Sequence, residues 1–345
     1  KKPRNTQLNY PTWGRHLPQD HIHYGHTNKI KLIEMENSAM IEVKHLRKTY
    51  GETLAVDDVS FDVHAGEIFG LLGPNGAGKT STLECLEGLR EPSDGTLRVA
   101  GFDPWKESSR LRNVIGVQLQ TAGLPDNITP DEIVKIFCAY HKVAERSDLL
   151  ERFGLSTKRT TPFHTLSTGQ KRRLSLVLAL VHEPQVLLLD EPTAGLDVAS
   201  RSELHDLIRE MQANKTAILL ATHDMAEAEQ LSDRLAILLN GKIVVTGTPM
   251  EITATGTELT KISVRTQNGS MHHLRNTCST INHSITKDDY TYIFCQEIGD
   301  TVTAILTHIE AQDDTLIDLR VERPSLEERF LEITQPNVKN IGAIL

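Results

Sequence analysis

Residues 73–80 read Gly-Pro-Asn-Gly-Ala-Gly-Lys-Thr. The apolar run Glu67–Leu72 precedes them and the helix-forming stretch Ser81–Leu89 follows, so a glycine-rich turn joins a buried strand to a helix. Glycine at positions 73, 76 and 78 lets backbone N–H groups approach an anion, and the helix start adds partial positive charge. The spacing GxxxxGK[ST] carries Lys79 toward the outer phosphates of a nucleotide and aims the Thr80 hydroxyl at a divalent cation. An ordinary glycine-rich turn is the alternative, and the strand–loop–helix context weighs against it.

A second acidic element completes that picture. Val186–Glu191 (VLLLDE) has four apolar residues, as a central buried strand requires, and ends in Asp190 and Glu191. Beside a phosphate-binding loop, Asp190 suits a metal shell and Glu191 suits a water-polarising role. Leu166-Ser-Thr-Gly-Gln170 stands just before the helical stretch Gln170–His182, so Ser167 and the Gly169 backbone sit at a helix start that suits an anion. Taken alone, such a turn is a helix cap.

The elements around these motifs alternate. Strands are expected at Met40–Leu46, Leu54–Val63, Glu67–Leu72, Leu97–Val99, Val114–Gln118, Val186–Leu189 and Thr216–Ala221. Helices are expected at Ser81–Leu89, Asn127–Tyr140, Arg146–Phe153, Gln170–His182 and Ala199–Asn214. This order predicts an α/β fold with a largely parallel sheet. The character changes after Gly247-Thr248-Pro249. Strands at Lys261–Thr266, Tyr290–Cys295 and Leu316–Glu322, with helices at Thr301–Ala311 and Ser325–Ile333, predict a small α+β domain.

In these motifs the chain resembles the nucleotide-binding subunits of ATP-binding cassette (ABC) transporters, over roughly Met40–Gly247. Tyr50 in KTYG matches the aromatic that stacks on adenine. Gly73, Pro74, Asn75, Gly76, Ala77, Gly78, Lys79 and Thr80, with Ser81 beside them, match the Walker A loop. Gln120 in IGVQLQ matches the Q-loop glutamine; Gln118 lies close by, and the family's spacing favours Gln120. LSTGQ, with Ser167, Gly169 and Gln170, matches LSGGQ, with Thr168 in place of the commoner glycine. Asp190 and Glu191 match Walker B and the catalytic glutamate, Asp197 in AGLD the D-loop, and His223 in ATHD the switch histidine.

The resemblance implies a P-loop NTPase cassette with a mixed sheet core and a helical subdomain at about 121–180. It implies ATP and Mg²⁺ as ligands, with Thr80, Gln120 and Asp190 on the metal and Glu191, His223 and Gln120 in catalysis. It also implies a head-to-tail dimer in which the LSTGQ turn of one copy closes over the ATP of the other. The closing segment Pro324–Thr334 (PSLEERFLEIT) looks like that of ATPases serving drug, antibiotic, lipid or polysaccharide exporters. Its Leu326, Phe330, Leu331 and Ile333 suit one helix face.

Composition sets the bounds. The chain has 345 residues and a net charge of −9, which disfavours a general polyanion binder, and no nucleic acid is expected as a partner. No apolar run approaches the ~18 residues of a membrane helix, the best being Leu174–Val181. An exporter role therefore calls for a separate permease, with this chain peripheral at the cytoplasmic face of the membrane. The apolar residues Leu124, Ile128, Ile133, Ile136 and Phe137 are open to either core packing or permease contact. Cys85, Cys138, Cys278 and Cys295 lack CxxC spacing and read as free thiols of a reducing compartment. Residues 1–39 carry net +3 and read as an extension before a start at Met40, with His16, His21, His23 and His26 as a metal-ligand alternative. The expected division is thus 1–39, 40–247 and 248–345. Other readings are a soluble ABC ATPase of translation or DNA maintenance, and an importer subunit. A single Walker A loop, the absence of long coiled-coil or zinc insertions, and the acidic charge weigh against the first.

Overall fold

A computed structural model describes residues 39–118, 123–254, 260–271, 281–287, 289–322 and 325–334. Gln120, Cys278, the four histidines of residues 1–38 and Pro324 lie outside the described residues.

The chain begins with β1 (Ala39–Tyr50) and β2 (Thr53–His64), then β3 (Ile68–Leu72), α1 (Lys79–Leu86), β4 (Asp94–Val99), α2 (Ser108–Leu111) and β5 (Ile115–Gln118). Three helices follow: α3 (Pro130–His141), α4 (Ser147–Arg152) and α5 (Thr168–Leu180). Next come β6 (Val186–Asp190), α6 (Val198–Ala213), β7 (Ala217–Thr222), α7 (Met225–Leu231), β8 (Arg234–Leu239) and β9 (Lys242–Gly247). The last part holds α8 (Pro249–Ala254), β10 (Thr260–Thr266), β11 (Ile281–Lys287), β12 (Tyr290–Cys295), α9 (Ile298–Ala311), β13 (Leu316–Glu322) and α10 (Leu326–Thr334).

The central sheet has the order β5-β6-β7-β3-β8-β9, parallel except for β9. Every residue of β3, β6 and β7 is buried, as both-face coverage of a parallel sheet demands. Phe69, Leu71, Leu188 and Leu219 face a core shared with Leu83 and Leu86 of α1, and Leu187, Leu189, Ile218 and Leu220 face a core shared with α3 to α6. The largely parallel sheet expected from sequence thus needs one correction. Three of the expected strands, Met40–Leu46, Leu54–Val63 and Leu97–Val99, do not join it; they form a separate antiparallel sheet, β2-β1-β4.

Local chemistry explains the element ends. Thr129 and Glu132 make a capping box at the start of α3, with Pro130 at the first helical position. The β8–β9 hairpin, which the element list from sequence omitted, turns on Asn240 and Gly241, both at positive φ (48° and 79°). That pair is the strongest short hairpin signal in a sequence. The smaller sheet β11-β12-β10-β13 is antiparallel and packs Ile262, Val264 and Ile293 against Ile305 and Ile309 of α9. Strand β11 was also not expected.

Helix α10 leaves that sheet and buries Leu326 and Phe330 with Leu72, Ala228, Leu235, Ile237 and Ile252. Ile333 joins them at the edge, whereas Leu331 is 41% exposed. The expected four-residue face is thus a three-residue one: positions 326, 330 and 333 follow the i, i+4, i+7 stripe and 331 does not. The ambiguous residues near the helical region also sort themselves. Ile133 is core, Leu124, Ile128 and Phe137 pack against it, and Ile136 is exposed.

Gly116 marks how closely α5 lies on the sheet. A Cβ there would stand 2.3 Å from the Ala179 carbonyl oxygen. Gly116→Ala is expected to lower stability by about 1–3 kcal/mol, because helix backbone cannot yield as a side chain can. A urea midpoint unchanged from wild type would refute that close approach.

Candidate functional site

The C-terminal ends of β3 and β6 open onto one cleft of about 270 Å³. It is lined by Tyr50, Ala55, the 74–81 loop and helix start, Asp190 and Glu191. Sheet register creates it: Leu72 pairs with Thr222, and Asp190 with Ala221, so the residues that follow each strand emerge side by side.

The loop itself is set by tight backbone approaches. A Cβ on Gly73 would meet the Leu238 carbonyl at 2.4 Å, and one on Gly78, which has φ +105°, the Ala55 carbonyl at 2.5 Å. The amides of Asn75, Gly76 and Gly78 meet no acceptor among the described residues, and α1 begins at Lys79 with its first-turn N–H groups facing forward. Such a ring of open donors is what a chain of phosphates needs.

Lys79 is 5% exposed. Its Nζ donates to the Gly73 carbonyl at 2.7 Å and the Pro74 carbonyl at 3.3 Å, and lies 3.6 Å from Glu191 Oε1. Burial pulls the Lys79 pKa below its ordinary value, and the charges of Glu191 and Asp190 oppose that pull. Thr80 Oγ1 donates to Asp190 Oδ2 at 3.4 Å. Burial and then the neighbouring Glu191 raise the Asp190 pKa, against the Thr80 hydrogen bond and the charges of Lys79 and Arg172. A hydroxyl and a carboxylate converging in this way are hard oxygen donors, the kind Mg²⁺ takes.

Glu191 has a backbone φ of +50°, a conformation uncommon outside glycine. Its N–H donates to the Ala221 carbonyl at 2.9 Å, which holds the strand end in that turn. Its carboxylate bridges two groups: Oε1 faces Lys79, and Oε2 lies 2.7 Å from His223 Nδ1. Tyr50 ends β1, with Lys48 Nζ 4.9 Å from its ring centre and its hydroxyl donating to Glu84 Oε2 at 3.2 Å.

Other expected residues lie elsewhere. Ser167, Gly169, Gln170 and Asp197 do not line the cleft. Ser167 and Gln170 form a capping box: Gln170 N–H donates to Ser167 Oγ at 3.3 Å, and Ser167 N–H donates to Gln170 Oε1 at 3.0 Å. Asp197 caps α6 through Ser200 N–H at 3.0 Å. The two turns are neighbours, since a Cβ on Gly169 would stand 3.4 Å from Ser200 Oγ. Gln118, the alternative to Gln120, is fully buried at the end of β5, opposite Leu189, and its amide has no hydrogen-bond partner among the described residues. Sequence reading passed over Arg172, whose charge acts on both Asp190 and Glu191. The basic run Lys171-Arg172-Arg173 directly after LSTGQ is the signal that could have found it. Among the described residues no helix is long and apolar enough to cross a membrane.

Comparison with known proteins gives one answer. Residues 56–194 match the ABC transporter family. The linearmycin resistance ATP-binding protein LnrL of Bacillus subtilis is 30% identical over 310 residues, 86% of this chain and 98% of that protein. The Nod factor export ATP-binding protein I of Ralstonia nicotianae is 40% identical over 222 residues, 63% of this chain and 69% of that protein. A solved ATP-binding subunit of an ABC transporter superposes with a TM-score of 0.58 at 30% identity, over 62% of this chain and 91% of its own. The match to LnrL runs through both the cassette and the smaller sheet, and with the phosphate loop and paired acids it leads to one conclusion: the chain belongs to the ABC transporter family as an ATP-binding, ATP-hydrolysing cassette.

Proposed function

We propose that this chain is the ATPase subunit of an ABC exporter, acting as a head-to-tail dimer on a separate permease. The Lys79–Glu191–His223 cluster at the mouth of the phosphate loop carries the reading. We divide the chain into an ATPase cassette at 40–247 and an accessory domain at 248–345.

ATP would lie with its base against Tyr50 and its phosphates in the 73–81 loop. Lys79 Nζ exchanges the Gly73 and Pro74 carbonyls for β- and γ-phosphate oxygens. Thr80 and Asp190 would hold Mg²⁺, together with Gln120. Bound there, the cation would neutralise charge on the β- and γ-phosphates. Glu191 orients a water and takes up its proton as the water oxygen bonds to the γ-phosphorus, while the bond from that phosphorus to the bridging oxygen breaks and its electron pair leaves with ADP. His223 then holds the γ-phosphate in line. Positioning and preorganised charge supply most of the rate in such a transfer.

Ser167, Gly169 and Gln170 start a helix that suits an anion yet lie outside their own chain's cleft. A second copy supplies the missing phosphate: the LSTGQ turn of each copy would cover the loop of the other, with Asp197 alongside. Thr168 is small and leaves that contact to Ser167 and Gly169. Ile136 and Tyr140 expose an apolar pair at i and i+4 on α3, which suits contact with a permease helix. Export is supported by the relatives, one named for linearmycin resistance and matched along nearly its whole length, and one named for Nod factor export.

Glu191→Gln is expected to lower turnover by about 10²–10⁴-fold, the usual worth of a positioned base, while ATP-dependent dimerisation in gel filtration persists. Normal ATPase activity in that variant would remove Glu191 from the mechanism. Lys79→Ala should weaken ATP binding about 10- to 100-fold, as loss of a charge-assisted contact implies; unchanged affinity in calorimetric titration would count against the phosphate cradle. For the exporter reading, the chain should co-purify with a multi-span membrane protein, and its deletion should abolish efflux. Recovery on ribosomes instead would overturn it.

A further inference from the structure

Two side-chain pairs join α6 to α7, outside the cleft. Arg201 Nη1 donates to Asp224 Oδ2 at 2.8 Å. One turn further on, His205 Nε2 faces Glu227 Oε1 at 3.8 Å, with side chains 5% and 1% exposed and neither atom hydrogen-bonded elsewhere among the described residues. Positions 201 and 205 are four apart on one helix, and 224 and 227 three apart on the other, so both rungs face the same way.

Asp224 is the pivot of this ladder. Its Oδ1 accepts the Glu227 N–H at 3.0 Å and caps α7, its own N–H donates to Thr222 Oγ1 at 3.0 Å, and its Oδ2 takes Arg201. It directly follows His223, whose Nδ1 meets Glu191 Oε2 at 2.7 Å. The His223 side chain is 53% exposed, so packing does little to hold it. Helix α7 has seven residues, too few to persist without tertiary support. The orientation of His223 therefore depends on what anchors Asp224.

We propose that Arg201 is a positioning residue for His223, clamping Asp224 so that the imidazole stays on the Glu191 carboxylate, with His205 packed beside Glu227 one turn on. Arg201 N–H donates to the Asp197 carbonyl at 2.9 Å, in the first turn of the helix that Asp197 caps. Asp197 in turn neighbours the LSTGQ turn. A shift of that turn when a second copy's nucleotide is engaged is thus transmitted through Arg201 to this copy's own His223. This rests on the reading of Glu191, His223 and the head-to-tail dimer given above.

Truncating His205 would leave Glu227 buried without its partner and could unfold the junction. Arg201 is half-buried and is the better probe. In the full chain, Arg201→Ala should lower kcat about 10²-fold, the scale of a small misplacement, with KM for ATP within about twofold and a melting temperature close to wild type. Arg201→Lys should recover most of the loss. Nitrogen NMR of the ATP-free protein should show the His223 Nδ1 signal shifted or broadened in Arg201→Ala and near wild type in Arg201→Lys. That last readout does not depend on turnover or dimerisation. An unmoved His223 signal, or unchanged kcat beside an active wild type, would overturn the clamp alone. Loss of activity matched by a fall in melting temperature that Arg201→Lys does not restore would mark a merely structural bridge and overturn it too. A wild type that binds no ATP would overturn the functional reading and the clamp together.

Discussion

The Lys79–Glu191 ion pair, 3.6 Å long and almost sealed from water, is the contact on which the site depends. A buried ammonium needs compensation, since desolvation penalises its charge far more than any neighbouring apolar contact could offset. Two peptide carbonyls and one carboxylate supply that compensation here. The two carbonyls are what phosphate oxygens would replace, with Glu191 left beside them. The loop is therefore shaped by the demands of its own lysine before any ligand arrives.

The central sheet makes this concentration of charge possible. Strands β3, β6 and β7 are buried along their whole length, so the acids and the histidine can appear only where the strands end. Parallel register brings those ends to one edge, next to the start of α1. The positive φ of Glu191 belongs to the same arrangement. Such a conformation costs about 1–3 kcal/mol and persists where surrounding structure over-determines it. Here the Ala221 carbonyl and the His223 imidazole hold the residue from two sides.

The C-terminal part is tied to the cassette through α10. Phe330 shares a cavity of about 260 Å³ with Pro74, Asn75, His223 and Met225, so the last described helix reaches the back of the phosphate loop. The small sheet with α9 has its own core, and α10 instead completes the core beside β3 and β8. An apolar stripe of three residues in a nine-residue helix suffices for this, because it meets a surface already apolar through Leu72, Leu235 and Ile252.

Sequence by itself determined the class of fold and the main actors. GPNGAGKT, VLLLDE, LSTGQ and ATHD are local patterns in a fixed order, and the apolar runs that lead into the first two read as strands covered on both faces. Helix starts are written locally only where a capping box spans four consecutive residues, as at Thr129–Glu132 and Ser167–Gln170; apolar spacing alone put the start of α3 at Asn127, three residues early. What only the tertiary structure decided is everything that joins distant residues. The separate β2-β1-β4 sheet, the exposure of Leu331 and Ile136, and the pairing of Arg201 with Asp224 follow from which surfaces meet. So does the exclusion of the LSTGQ turn from its own chain's cleft. Periodicity gives each element an apolar face; the partner of that face, and the cost of leaving a buried charge without one, are set by long-range packing that no local pattern encodes.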